Sequence, residues 1–271
     1  MKPTIYAIAI GLVMCGIAMR VDKSAQTQIS TTSKTPSPPL AATPGTTRTV
    51  SYNGVSFTYD SSLASDVEFK TVPLREEGQP ADVVPEHPSF TLAGYPGVRN
   101  GQPSEPQIKV FSVAGFRSAL HNESTELAKV TYPPMADLGP AVDTEVRVLK
   151  ELVKAKPTLP KLDRFLAKAR GQQNCSAAMP FLPMWAACMA FVSHLKYVDF
   201  KNGRGVVFLT QWNTETFPIT NDGLEYAYQG ISNDGRYWIY AEFAVNAPFL
   251  RGSDAPEVIA WAEKNYLLSH R

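Results

Sequence analysis

The chain has 271 residues, with 26 Lys or Arg against 25 Asp or Glu and a formal net charge of +1. That balance leaves neither the basic footprint that nucleic-acid binding normally needs nor a polybasic run for an anionic lipid surface. No nucleic-acid partner is expected, and any membrane contact falls to the N-terminus.

Residues 5–19 are apolar and uncharged, with Lys2 before them and Arg20 and Lys23 after. A membrane span takes roughly 20 apolar residues, so this run is marginal as one. It fits a secretory signal, with a basic start and Gly16 and Ala18 as small residues for a cut site. Leu12-Val13-Met14-Cys15 also resembles a bacterial lipobox ending in the cysteine that would receive lipid, although Met14 replaces the small residue usual there. Segment 1–20 thus reads as a lipid anchor, a cleaved signal or a single-span anchor, with a buried cytoplasmic helix as the remaining alternative to these three. All three place the remainder outside the cytoplasm, membrane-anchored or secreted.

Residues 21–48 hold 15 Ser, Thr or Pro, with only Val21, Ile29 and Leu40 large and apolar. Such a tract cannot bury enough surface to offset its ordering entropy and reads as a disordered linker. As a coil it reaches roughly 30 Å. Residues 49–271 are long enough for a single domain.

That domain opens on 49–52, the turn Asn53-Gly54, and 55–59, where Val55, Phe57 and Tyr59 alternate with Ser56 and Thr58 as in a half-buried strand. Further strands are predicted at 66–73, 88–95 and 107–114. Gly, Pro and charge mark 74–87 and 96–106 as loops. From 141 to 156 the apolar period becomes helical, and Pro157 stops the helix. A second, weaker helix is predicted at 160–170. Two long hairpins follow, 189–200 with 205–212 and 224–231 with 236–245, turning at Asn202-Gly203 and Asp234-Gly235. Asp254, Pro256 and Glu257 start a final helix, with Val258, Ile259, Ala262 and Tyr266 as its apolar face. The fold class is α+β, an antiparallel sheet of hairpins with packed helices.

Cys175 and Cys188 are the cysteine pair of the folded part. In an oxidising compartment they suggest a disulfide; two buried thiols are the alternative. Residues 177–189 are apolar yet broken by Pro180 and Pro183. This loop is either buried under the domain or a contact surface presenting Phe181 and Trp185. Met179, Met184 and Met189 match no copper-site spacing.

Four segments carry a resemblance: 52–59 (YNGVSFTY), 180–183 (PFLP), 197–211 with its GVVFLTQ end, and 229–237 ending in DGRY. They resemble an uncharacterised family of exported bacterial proteins common in filamentous, Chloroflexi-type bacteria. That resemblance brings no known activity with it. More distantly, the opening hairpin, antiparallel strands and terminal helix look like the PsbP/Mog1-type α/β/α sandwich, whose members are mostly accessory or binding proteins. The final helix, ending at Arg271, is short for such a domain, which leaves a trimmed C-terminus as one expectation.

Asp199, Glu225 and Glu242 fall on the predicted hairpin strands, where carboxylates can pair for acid-base work. Charge on the wet face of a sheet is the simpler reading. No nucleophile elbow, metal-binding helix or phosphate loop is present, so no catalytic, cofactor or metal residue is assigned. Tyr226, Tyr228, Trp238 and Tyr240 make the second hairpin aromatic and form a possible ligand-stacking face. The expected function is a non-enzymatic, envelope-anchored accessory that binds a protein partner or helps assemble a membrane complex. An extracytoplasmic ligand-binding module is the alternative, and an enzyme with an unrecognised site the third.

Overall fold

The computed structural model describes residues 6–9, 46–74, 84–99, 102–127, 139–171, 179–182, 188–213 and 217–269. Strand β1 (Tyr6–Ala9) runs parallel to residues 55–58. The rest of the apolar N-terminal run, Cys15 included, and nearly all of the linker lie outside the described residues. β2 (Thr47–Tyr52) and β3 (Val55–Asp60) form the predicted opening hairpin. Its turn holds Asn53 at φ 50° and Gly54 at φ 78°, the positive angles that an Asn-Gly turn accepts.

β4 (Asp66–Val72) and β5 (His87–Ala93) follow as expected. The predicted loop after them contains a small hairpin, β6 (Val98–Arg99) with β7 (Gln102–Pro103). β8 (Gln107–Ser112) leads directly into α1 (Val113–Leu127), a helix the sequence reading missed. Val113, Phe116 and Leu120 have helical spacing, but Gly115, Ser118, Asn122 and Ser124 dilute the local propensity. α2 (Gly139–Ala155) ends at Lys156 (φ 48°), and α3 (Leu159–Arg170) ends on Gly171 in the left-handed region (φ 70°).

β9 (Cys188–Met189) precedes the two long hairpins, β10 (Ser193–Phe200) with β11 (Gly203–Thr210), then β13 (Glu225–Ser232) with β14 (Tyr237–Ala244). Between them β12 (Trp212–Asn213) pairs back to β9. Gly235 takes the expected positive φ, whereas neither Asn202 nor Gly203 does. Gly203 belongs instead to β11, where a Cβ would strike the Phe200 ring and the Ile231 carbonyl. α4 (Pro256–Ser269) closes the described chain. Among the described residues no helix is long and apolar enough to cross a membrane.

Seven strands form one antiparallel sheet in the order β10-β11-β13-β14-β8-β5-β4. Alternation along each strand gives the sheet two apolar faces. Phe111, Val206, Phe208 and Trp238 meet α1, α2 and α3 through Phe116, Leu149, Leu152 and Leu162. On the other face Phe90, Ile108 and Ile239 meet Val55, Phe57 and Tyr59 of the opening hairpin. The layers are helix, sheet and hairpin. Each fully buried large apolar side chain contributes roughly 1.5–3 kcal/mol.

Candidate functional site

β5, β11 and β14 run out at the same end of the sheet at which β10 and β13 begin, and two different surfaces meet there. On the hairpin side, beyond the reach of β2 and β3, lies a pocket of about 960 Å³. Tyr95, Phe191, Leu209, Leu224, Tyr226 and Phe249 supply its large apolar and aromatic side chains, and among the described residues no Asp, Glu, Lys or Arg lines it. Besides the two tyrosines, Ser193, His194 and Asn246 are its described polar side chains. The volume lies at the upper end of the range for small-molecule sites, roughly 300–1,000 Å³. Phe249 is 69% exposed and Ile219 44%, so its lip is apolar as well.

Three attachments shape this wall. The buried Tyr95 hydroxyl donates to the Ala244 carbonyl at 3.0 Å, and burial pushes its pKa up to about 12. A Cβ on Gly97 would strike the Tyr95 ring and the Ala244 carbonyl, so only glycine lets the chain pass this close. Asn221 grips the loop after β14, donating to the Ala247 and Leu250 carbonyls at 3.1 and 2.7 Å and accepting from the Ala247 N–H at 2.8 Å. His194, at φ 51° beside an irregularity in the β10 pairing, sets its ring edge-on to Tyr226 with centroids 6.5 Å apart.

The opposite face of the same sheet end carries a buried charge cluster. Glu225 lies between the pocket residues Leu224 and Tyr226 but points the other way, as the period of a strand requires. It is 2% exposed. Its Oε2 pairs closely with Arg99 Nη2, and Trp212 Nε1 donates to its Oε1 at 2.6 Å. The Glu242 carboxyl, on β14, stands beside that of Glu225 and interacts with it, and its buried Oε1 has no hydrogen-bond partner among the described residues. Two buried carboxyls placed together disfavour a second negative charge. Desolvation raises both pKa values, and the neighbouring Glu225 charge drives that of Glu242 further up, so Glu242 keeps the proton. Lys109 stands nearby, its own pKa lowered by burial and partly restored by Glu242. Arg99, Gln107, Lys109, Tyr240 and Glu242 line a polar cleft of about 140 Å³ over this pair.

The structure brings Glu225 and Glu242 together and leaves Asp199 out. Asp199 is a surface carboxylate, 3.0 Å from Lys156 Nζ. The aromatic face expected of the second hairpin does not form. Tyr228, Trp238 and Tyr240 are buried core side chains, because both faces of this central sheet are covered. Tyr228 occupies space left by Gly205 and Gly230, where a Cβ would strike its ring. Only Tyr226 of that set reaches the pocket. In the apolar 177–189 segment Met179 and Leu182 are buried, and Phe181 is half-buried against Trp212 with centroids 4.9 Å apart. Trp185 and Cys175 lie outside the described residues, and Cys188 opens β9. Among the described residues no group of three His, Cys, Asp or Glu side chains could hold a metal ion.

Sequence reasoning missed Arg99, Asn221, Gly97 and the 245–250 wall. Their roles depend on loops meeting across long sequence separations. An apolar Phe249-Leu250 pair in a Pro-containing loop was the one local hint. No family model, curated protein or solved structure matches this chain.

Proposed function

We propose that this protein is an exported, non-enzymatic binding domain, held at a membrane by its N-terminus, that carries a small uncharged apolar molecule in the pocket at the end of its sheet. The observation that carries this reading is the pocket: its volume, its apolar wall with no charged side chain among the described residues, and its few polar groups, Ser193, His194 and Asn246 among them. A charged ligand would lose its hydration there without gaining a partner. An uncharged ligand pays no such cost. Export and anchoring are supported by the apolar 5–19 run and the Ser/Thr/Pro tract.

The PsbP/Mog1-type likeness belongs to this proposal. It is supported by the opening hairpin, the antiparallel sheet and the terminal helix, and by helices on one face; the second face is covered by strands.

Thermal-shift measurements of the full chain against a panel of neutral aromatic and acyl compounds test the reading. Stabilisation by a member of that panel, lost in Leu209→Glu, supports it. Indifference to every member, with the protein folded, refutes it. The accessory reading, binding to an envelope protein, is favoured by the exposed Ile259 and Trp261 on α4. Crosslinking in intact cells, with and without Trp261→Ser, separates it from ligand carriage.

A further inference from the structure

The pocket and the charge cluster are two faces of one stretch of chain. Tyr95 and Gly97 line the pocket, and two residues further on Arg99 pairs with Glu225. Glu225 itself is flanked by the pocket residues Leu224 and Tyr226. Residues 95–99 have few other described anchors to the sheet. These are Tyr95 Oη to the Ala244 carbonyl, the Tyr95 ring against Phe243 with centroids 5.9 Å apart, and Val98 N–H to Asn246 Oδ1, the last a long 3.3 Å. Among the described residues β6 has only β7 as a strand partner. The Arg99–Glu225 ion pair is therefore the charged tie that holds this wall of the pocket.

We propose that the Glu225–Glu242 pair is a proton-operated latch on the apolar pocket, closed while Glu225 is ionised and bound to Arg99, and released when both carboxyls are protonated. This inference rests on the pocket being a binding site. In the closed state Glu242 holds a proton, and the single negative charge on Glu225 faces Arg99. Uptake of one further proton from solvent neutralises Glu225. Arg99 keeps its charge, and its side chain, 39% exposed, turns to water. The wall loses its ionic tie and the pocket opens.

The charged and titratable groups around Glu225 are Arg99 from β6, Glu242 and Tyr240 from β14, and Lys109 from β8, with Glu105 on the rim of the cleft. Trp212 from β12 donates a neutral hydrogen bond. Both cations oppose proton uptake, whereas burial and the adjacent carboxyl favour it. Burial is the largest cause acting on each glutamate and raises both, so the second proton binds above the usual carboxylate range.

The test uses the full chain and N-phenyl-1-naphthylamine, an uncharged apolar fluorophore whose emission rises on burial. Affinity is compared between about pH 7.5 and about pH 5, a span that brackets raised carboxylate values. The expected result is binding about tenfold weaker in acid, within the usual range of linkage between sites. Glu225→Gln, which keeps the shape and removes the charge, should bind weakly at both pH values. Arg99→Gln should match it, and His194→Gln, altering the titratable pocket histidine, should retain the acid loss. Leu209→Glu corrects for probe taken up elsewhere on the chain.

Binding that is equally tight at both pH values, or an acid loss that persists in Glu225→Gln or vanishes in His194→Gln, overturns the latch and leaves the pocket reading standing. Absence of pocket-dependent binding at either pH, with near-UV circular dichroism intact, refutes the pocket reading and the ligand-release role together. Hydrogen exchange of residues 95–99, corrected for its intrinsic pH dependence, addresses the latch alone. Wild type should open in acid and Glu225→Gln should already be open at neutral pH; protection unchanged in both overturns the latch whatever the probe does.

Discussion

Asn221 and Ala247 exchange a pair of hydrogen bonds, side-chain amide to carbonyl at 3.1 Å and backbone N–H to side-chain oxygen at 2.8 Å, so one side chain serves the 246–250 loop as a strand neighbour would. A third bond, to the Leu250 carbonyl at 2.7 Å, fixes the far end of that loop. Asn221→Ala removes all three and leaves backbone groups to find water. It should cost about 2 kcal/mol in urea unfolding and weaken probe binding more than any comparable surface substitution. Unchanged affinity would mean that the loop does not depend on this grip.

The buried Trp238 indole donates to Gln229 Oε1 at 2.6 Å between two fully covered layers. Trp238→Phe leaves that oxygen unsatisfied as well as opening a cavity, and should cost about 3 kcal/mol. Combining it with Gln229→Leu removes the stranded polar group. The double variant should be less destabilised than the sum of the two single ones. Strict additivity in a double-mutant cycle would deny the hydrogen bond an energetic role.

Stability should fall as pH rises through the range in which Glu242 loses its proton. Its folded-state pKa lies well above the unfolded value, because of burial first and the Glu225 charge second, so the folded chain binds more protons than the unfolded one. The contribution is fully present below the unfolded carboxylate range and is lost above the folded value. Glu242→Gln, permanently neutral and able to donate to Glu225, should flatten that alkaline decline. Melting temperatures against pH for both proteins measure it, and parallel curves would refute it.

Arg170 from α3 donates to both oxygens of Glu145 on α2, at 3.0 and 2.9 Å, and the Phe181 N–H donates to the same carboxylate at 3.1 Å. Burial raises the Glu145 pKa and Arg170 opposes it. Arg170→Met strands the carboxylate in an apolar setting and should cost about 3 kcal/mol at neutral pH. The deficit should shrink on acidification, as Glu145 takes up a proton. A deficit independent of pH would assign the loss to packing alone.

Strands and hairpins were legible because alternation at Val55, Phe57 and Tyr59 and glycine turns at Gly54 and Gly235 are local signals. α1 was not, since its apolar stripe is interrupted by poor helix formers and is stabilised by its neighbours. The pairing of Glu225 with Glu242 follows from a hairpin register that brings nearby same-face positions together. Arg99 had no such signal. It reaches Glu225 across a sequence separation of 126 residues. The aromatics Tyr228, Trp238 and Tyr240 misled because strand period tells which residues share a face, not whether a second layer covers it.

The β8–β14 pairing, which sets Phe111 opposite Trp238, joins two halves of the sheet that are each built from nearer neighbours. Strands β4, β5 and β8 emerge first during synthesis, and the edge of β8 must wait for a partner encoded at the far end of the chain. Non-local pairing of this kind slows folding, because loop closure precedes the contacts that reward it. Closure of this seam is therefore the late step of folding, and a chain lacking β14 would leave the β8 edge open as a template for pairing with another chain.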